Sequence, residues 1–125
     1  MHHLIKTSDL SNQGIIDIFE NAKRFLNNEE TGKELAGKSV MTLFFENSTR
    51  TRSSFEMALK RLGANVIHLD INKSSTSKGE TLLDTAYNLN SIGADAFIIR
   101  HSHAGVPFSL AKNIGKKGVI INAGD

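Results

Sequence analysis

Short apolar runs alternate with amphipathic stretches along the chain, and no other feature restricts the fold as strongly. Ile15, Ile18, Phe19, Ala22, Phe25 and Leu26 recur at three-and-four spacing, which predicts a helix over roughly 11–27. Polar residues 28–38 lead into 39–45, a mostly apolar run of the kind a buried parallel strand needs. After the loop 46–51, Phe55, Ala58, Leu59 and Leu62 mark a second helical face that Gly63 closes as a left-handed cap. The run 65–69 reads as strand two. Ser77-Lys78-Gly79-Glu80 has the Ser-x-x-Glu pattern of a capping box, and a third helix follows through Leu82, Leu83, Ala86 and Leu89 to Gly93. Residues 94–99 give strand three, Pro107 suits the first turn of a fourth helix carrying Leu110, Ala111 and Ile114, and 119–121 closes as strand four. Such an alternation implies right-handed crossovers and an α/β fold of three layers, a four-stranded parallel sheet with helices on both faces.

At 125 residues the chain has the length of one domain, and it shows neither an internal repeat nor a linker. Apolar runs such as 96–99 and 119–121 are far too short to cross a bilayer, so no membrane contact is expected. The start 1–5 has no apolar signal region, and His2-His3 reads as ordinary sequence. With no cysteine there is no disulfide framework, no thiolate nucleophile and no thiolate metal site, which fits a reducing, cytoplasmic compartment. Fifteen Lys and Arg against thirteen Asp and Glu leave a formal charge of +2, too weak an imbalance for a nucleic-acid binder. Small anions are the better expectation.

In an open parallel sheet, ligands bind beyond the carboxyl ends of the strands, where loops and helix N-termini converge. The loop Glu46-Asn47-Ser48-Thr49-Arg50-Thr51-Arg52 leaves strand one there and enters a helix, gathering hydroxyls, guanidinium groups and backbone N–H donors at one helix start. Taken singly, Ser48 or Thr49 reads more simply as a helix cap, and Arg52 with Glu56 as an exposed i,i+4 pair. Taken together the five residues 48–52 favour an anion, since two arginines in a first turn oppose the helix dipole unless something negative offsets them. Arg100 follows strand three at the same sheet edge, so Arg50 and Arg100 together are placed to clamp one small anion. His101 and His103 sit two apart, but no third ligand of the usual types is nearby, and neither a metal nor a cofactor is assigned. The polar stretch 74–80 lacks P-loop spacing, and no GxGxxG occurs, so nucleotide readings fail; alone, the stretch is as well explained as a solvated loop ending in a cap.

The string Phe44-Phe45-Glu46-Asn47-Ser48-Thr49-Arg50-Thr51-Arg52, with Ser54-Phe55-Glu56 and Arg61-Leu62-Gly63-Ala64 after it, closely resembles the carbamoyl-phosphate signature of the carbamoyltransferase family. Ser74 and Lys78-Gly79-Glu80-Thr81, Arg100-His101 and the closing Asn122-Ala123-Gly124-Asp125 are similar to its aspartate branch rather than its ornithine branch. The resemblance runs over essentially the whole chain. It implies that residues 1–125 form a carbamoyl-phosphate-binding domain with strand order 2-1-3-4. The implied enzyme makes N-carbamoyl-L-aspartate in pyrimidine biosynthesis. Carried across by motif, Ser48, Thr49, Arg50 and Thr51 would contact the phosphate and carbonyl of carbamoyl phosphate, with Arg100 as second arginine. Ser74 and Lys78 resemble the pair that such proteins donate into a neighbouring subunit's site, which implies a homotrimer, with regulatory chains as further partners in some members. Glu46 resembles a carboxylate that helps to bridge two domains when the site closes.

Family chains continue past Asn-Ala-Gly-Asp into a His-Pro-Thr-Gln motif and a second, L-aspartate-binding domain, and neither is in this sequence. The 125 residues are therefore expected to be a fragment or a free-standing half, inactive alone. An ornithine-type enzyme, a noncatalytic phosphate-binding module and a purely structural interaction domain remain as rival readings, in that order.

Overall fold

The computed structural model describes residues 3–70, 82–115 and 118–125. In chain order it holds a short 3-10 turn (Thr7–Asp9), α1 (Asn12–Leu26), β1 (Ser39–Phe44), α2 (Thr49–Arg61), β2 (Asn65–Asp70), α3 (Leu82–Ile92), β3 (Ala96–Arg100), α4 (Val106–Asn113) and β4 (Val119–Gly124). The four strands form one parallel sheet in the order β2-β1-β3-β4, as the family resemblance implies. Pleating sends alternate residues of β1 to opposite faces. Val40 and Phe44 pack with Ile98 and with Leu59 of α2 on one face. On the other, Met41 and Leu43 join Phe97, Ile99 and Ile120 against Ala86 and Leu89 of α3 and Leu110 of α4. Helices thus cover both faces, and the central strands β1 and β3 carry buried apolar side chains on both sides.

Boundaries moved where polar residues pair. β3 begins two residues later than its apolar run and ends one later, on Arg100. Asp95 serves as the joint before it: its side chain accepts from the Ser39 N–H at 2.9 Å, and its carbonyl accepts from the Val119 N–H. β4 runs on through Asn122 to Gly124, beyond the apolar 119–121, because backbone pairing with β3 needs no apolar side chain. The predicted capping box at Ser77–Glu80 lies outside the described residues.

Two features escaped the pattern reading. Leu4 pairs in parallel with Ile121 and His3 Nδ1 accepts from the Ile120 N–H at 2.8 Å, so the leading residues cover the edge of β4. His3 is thereby part of the fold. The helix α1 forms as its periodicity predicts, capped by Ser11 Oγ accepting from the Gly14 N–H, but its apolar stripe is largely bare, with Phe19 65% and Leu26 81% exposed.

Candidate functional site

β1 and β3 lie side by side in register, with Phe44 opposite Arg100, so both strands deliver their carboxyl ends to one rim. The chain leaves β1 through residues 45–48 and turns into α2, while β3 stops on Arg100; the Phe45 N–H donates to the Arg100 carbonyl at 2.8 Å. The N-terminus of α2 and the end of β3 are therefore adjacent by construction.

Ser48 occupies the N-cap position of α2, yet its side chain makes no cap hydrogen bond. Its hydroxyl donates instead to Thr51 Oγ1 at 2.9 Å. The first intrahelical bond runs from the Arg52 N–H to the Ser48 carbonyl, which leaves the N–H groups of Ser48, Thr49, Arg50 and Thr51 without an acceptor among the described residues. Simple capping by Ser48 or Thr49 is thus not what these hydroxyls do. Thr51, accepting from Ser48, keeps its own hydroxyl proton to donate.

The two arginines of this turn differ. Arg52 Nε donates to Glu56 Oε1 at 2.8 Å, and the pair is part-buried, with side chains 39% and 23% exposed, rather than the exposed surface pair that spacing suggests. The guanidinium holds the Glu56 carboxyl below the usual carboxylate range, ahead of the opposing effect of burial. Arg52 is offset from within, so it calls for no external anion. Arg50 is exposed and has neither an ion pair nor a hydrogen bond among the described residues.

Arg100 is engaged on one side. Its Nε donates to Glu46 Oε1 at 2.9 Å and its Nη1 to the Ala123 carbonyl at 2.8 Å. That second contact comes from a register shift between β3 and β4: Ile99 faces Asn122 but Arg100 faces Gly124, so Ala123 bulges toward the guanidinium. Gly124 permits the close approach, since a Cβ there would stand 2.5 Å from Arg100 Nη1, and its φ of 139° suits glycine. These bonds take only two of the guanidinium's N–H donors and fix its direction while leaving the rest to a ligand.

Behind Arg100, His101 rests on the Phe45 ring at 4.7 Å between centroids, and its Nδ1 accepts from the His103 N–H at 2.9 Å. Burial, with the nearby His103, lowers its pKa, so a neutral ring is favoured. Among the described residues no group of three or more His, Asp or Glu side chains is placed to hold a metal ion. Two surface grooves, of about 320 and 600 Å³, lie elsewhere: one between the end of α1 and α2, the other between the leading segment and α4. Ser74 and Lys78 lie outside the described residues.

The family profile for "Aspartate/ornithine carbamoyltransferase, carbamoyl-P binding domain" matches residues 2–125. The chain belongs to this family. Among curated carbamoyltransferase relatives, the aspartate carbamoyltransferase catalytic subunit of Aliarcobacter butzleri is 55% identical over the whole chain and 41% of its own length. That of Campylobacter jejuni is 50% identical over the same shares. The solved catalytic subunit of M. jannaschii aspartate transcarbamoylase superposes with a TM-score of 0.86 at 40% identity, covering 99% of this chain and 42% of that one. Aspartate transcarbamoylase from Trypanosoma cruzi, solved with carbamoyl phosphate, gives 0.81 at 31% identity, covering 99% and 38%. The chain therefore spans about two fifths of the length of the carbamoyltransferases it matches.

Sequence reasoning paired Glu56 with Arg52 but missed Thr42 and His68, which join that pair behind the α2 start, and the bulge at Ala123. A threonine amid apolar β1 was the available signal for the first. A bulge leaves no trace in a pattern of apolar residues.

Proposed function

We propose that this chain is the carbamoyl-phosphate-binding part of an aspartate carbamoyltransferase, in which Ser48, Thr49, Arg50, Thr51 and Arg100 hold carbamoyl phosphate. The observation that carries this reading is the α2 N-terminus, whose four leading N–H groups and Arg50 have no partner among the described residues, beside an Arg100 oriented by Glu46 and Ala123. A phosphate at a helix start meets backbone donors and the positive end of the helix dipole together.

The reaction joins the neutral amine of L-aspartate to the carbonyl carbon. The new C–N bond forms as the carbonyl becomes a tetrahedral oxyanion; the C–O bond to phosphate then breaks, and the proton shed by the amine ends on phosphate. No covalent enzyme intermediate is required. Arg50 and the α2 N–H groups hold the phosphate, while Thr51 and Arg100 donate to the developing oxyanion, preorganised by Ser48 and Glu46 respectively. Residues for the aspartate carboxylates would come from sequence beyond these 125 residues. Ser74 and Lys78, on the resemblance alone, would come from a neighbour in a homotrimer.

Isothermal calorimetry of this chain with carbamoyl phosphate tests the site. Arg50→Ala should weaken binding about tenfold or more, as expected for losing a charged donor to an anion, and equal heats for both proteins would remove the site from the rim. A carbamoylation assay of the intact protein should favour aspartate over ornithine.

A further inference from the structure

Among the described residues, Thr42 is the buried polar side chain, fully enclosed on the α2-facing side of β1. Its Oγ1 lies 2.9 Å from Nδ1 of His68, its register partner on β2, and 3.3 Å from Glu56 Oε1 on α2. The same Glu56 oxygen accepts from Arg52 Nε at 2.8 Å. A hydroxyl has one proton and an ionised carboxylate can only accept, so the bonding assigns Thr42 as donor to Glu56 and His68 Nδ1–H as donor to Thr42. Donors thus point in one direction, from the edge strand through β1 to the helix, and meet Arg52 there.

Every one of these polar side chains has a partner, and a satisfied network of this kind rigidifies the elements it joins. Arg52, Phe55, Glu56 and Leu59 fall on one stripe of α2, three and four residues apart, and Phe55 and Leu59 are what pack on the sheet. Apolar packing alone is non-directional and lets a helix rotate or slide by small amounts, whereas a charged hydrogen-bonded strut in the same seam has one geometry. If the strut were absent, Arg52 would be released into the first turn of α2, next to Arg50, and the helix would lose its rotational reference.

We infer that Glu56, held by Thr42 and His68, is a positioning residue that pins Arg52 to the body of α2 and thereby keeps Arg50 and Thr51 aimed at the rim. This role rests on the phosphate-binding reading of that rim. It acts through other residues, since Glu56 itself faces the sheet.

The test is calorimetry with carbamoyl phosphate, paired with thermal melts, on the wild type and on Glu56→Gln, Thr42→Val, Thr42→Ser and Arg50→Ala. Glu56→Gln and Thr42→Val should each weaken binding about tenfold, with Thr42→Ser, which restores the hydroxyl, within about twofold of wild type. Lower melting temperatures with unchanged affinity in Glu56→Gln and Thr42→Val would reduce the cluster to a structural strut and overturn the inference. Failure of the rim itself would look different: no heat with the wild type, or no loss in Arg50→Ala, would sink site and inference together.

Discussion

A single hydrogen atom on Cα is what allows Arg100 to lie where it does. Gly124 pairs with Arg100 across the bulge at a φ of 139°, and any side chain would occupy the space of Nη1. The guanidinium is the end of a flexible chain, so it would yield before the sheet does. Gly124→Ala should therefore harm binding more than folding: carbamoyl phosphate affinity on calorimetry should fall about tenfold, with a stability loss of only about 1–2 kcal/mol from the strained backbone. Unaltered affinity would show that Arg100 does not need this direction. Arg50 and Arg100 stood out in the sequence because strand ends and helix starts are legible from apolar periodicity. Glu46's and Ala123's hold on Arg100 was not, since one depends on a long-range rotamer and the other on a bulge.

At the level of elements, periodicity tells which face of a helix is apolar and says nothing about what covers it. The stripe of α1 is as regular as that of any helix here, yet none of its side chains is buried, and α2 with a weaker pattern is docked through Phe55, Leu59 and its polar seam. Substitution should separate the two cases by urea denaturation. Phe19→Ser, on a residue 65% exposed, should change stability by no more than about 0.5 kcal/mol, whereas Leu110→Ala, removing a fully buried side chain of α4, should cost about 2–5 kcal/mol. A large loss at Phe19 would mean that α1 is packed in solution. The strand order was readable only through family resemblance, because β1 and β3 neighbour each other across the intervening residues 45–95, whose local patterns do not record the pairing. The Thr42–Glu56–Arg52 seam was hidden for a related reason: i,i+4 spacing reveals a pair on a helix but not that the helix turns it inward.

For the molecule as a whole, titration should run in one direction. His101, Glu56, Glu34 and Asp125 all have lowered pKa values, the first from burial, the second from Arg52, and the last two chiefly from backbone N–H donors. A lowered value means that the unfolded chain binds protons more readily, so each contribution is present above the ordinary pKa and lost as pH falls through the folded one. Stability by denaturant titration should thus be level above neutrality. It should decline first below about pH 6.5, where histidine titrates, and again below about pH 4.5, where the carboxylates do. A rise in stability on acidification would contradict the assignment. The same global view gives meaning to the leading segment, where His3 and Ile120 meet across 117 positions of sequence. During synthesis the leading residues cannot take their place beside β4 until the chain around Ile120 has also been made. Leu4 and Ile5 therefore wait, without their β4 partners, while more than a hundred residues are added, which makes the closing of this edge a long-range step that no local segment can complete by itself.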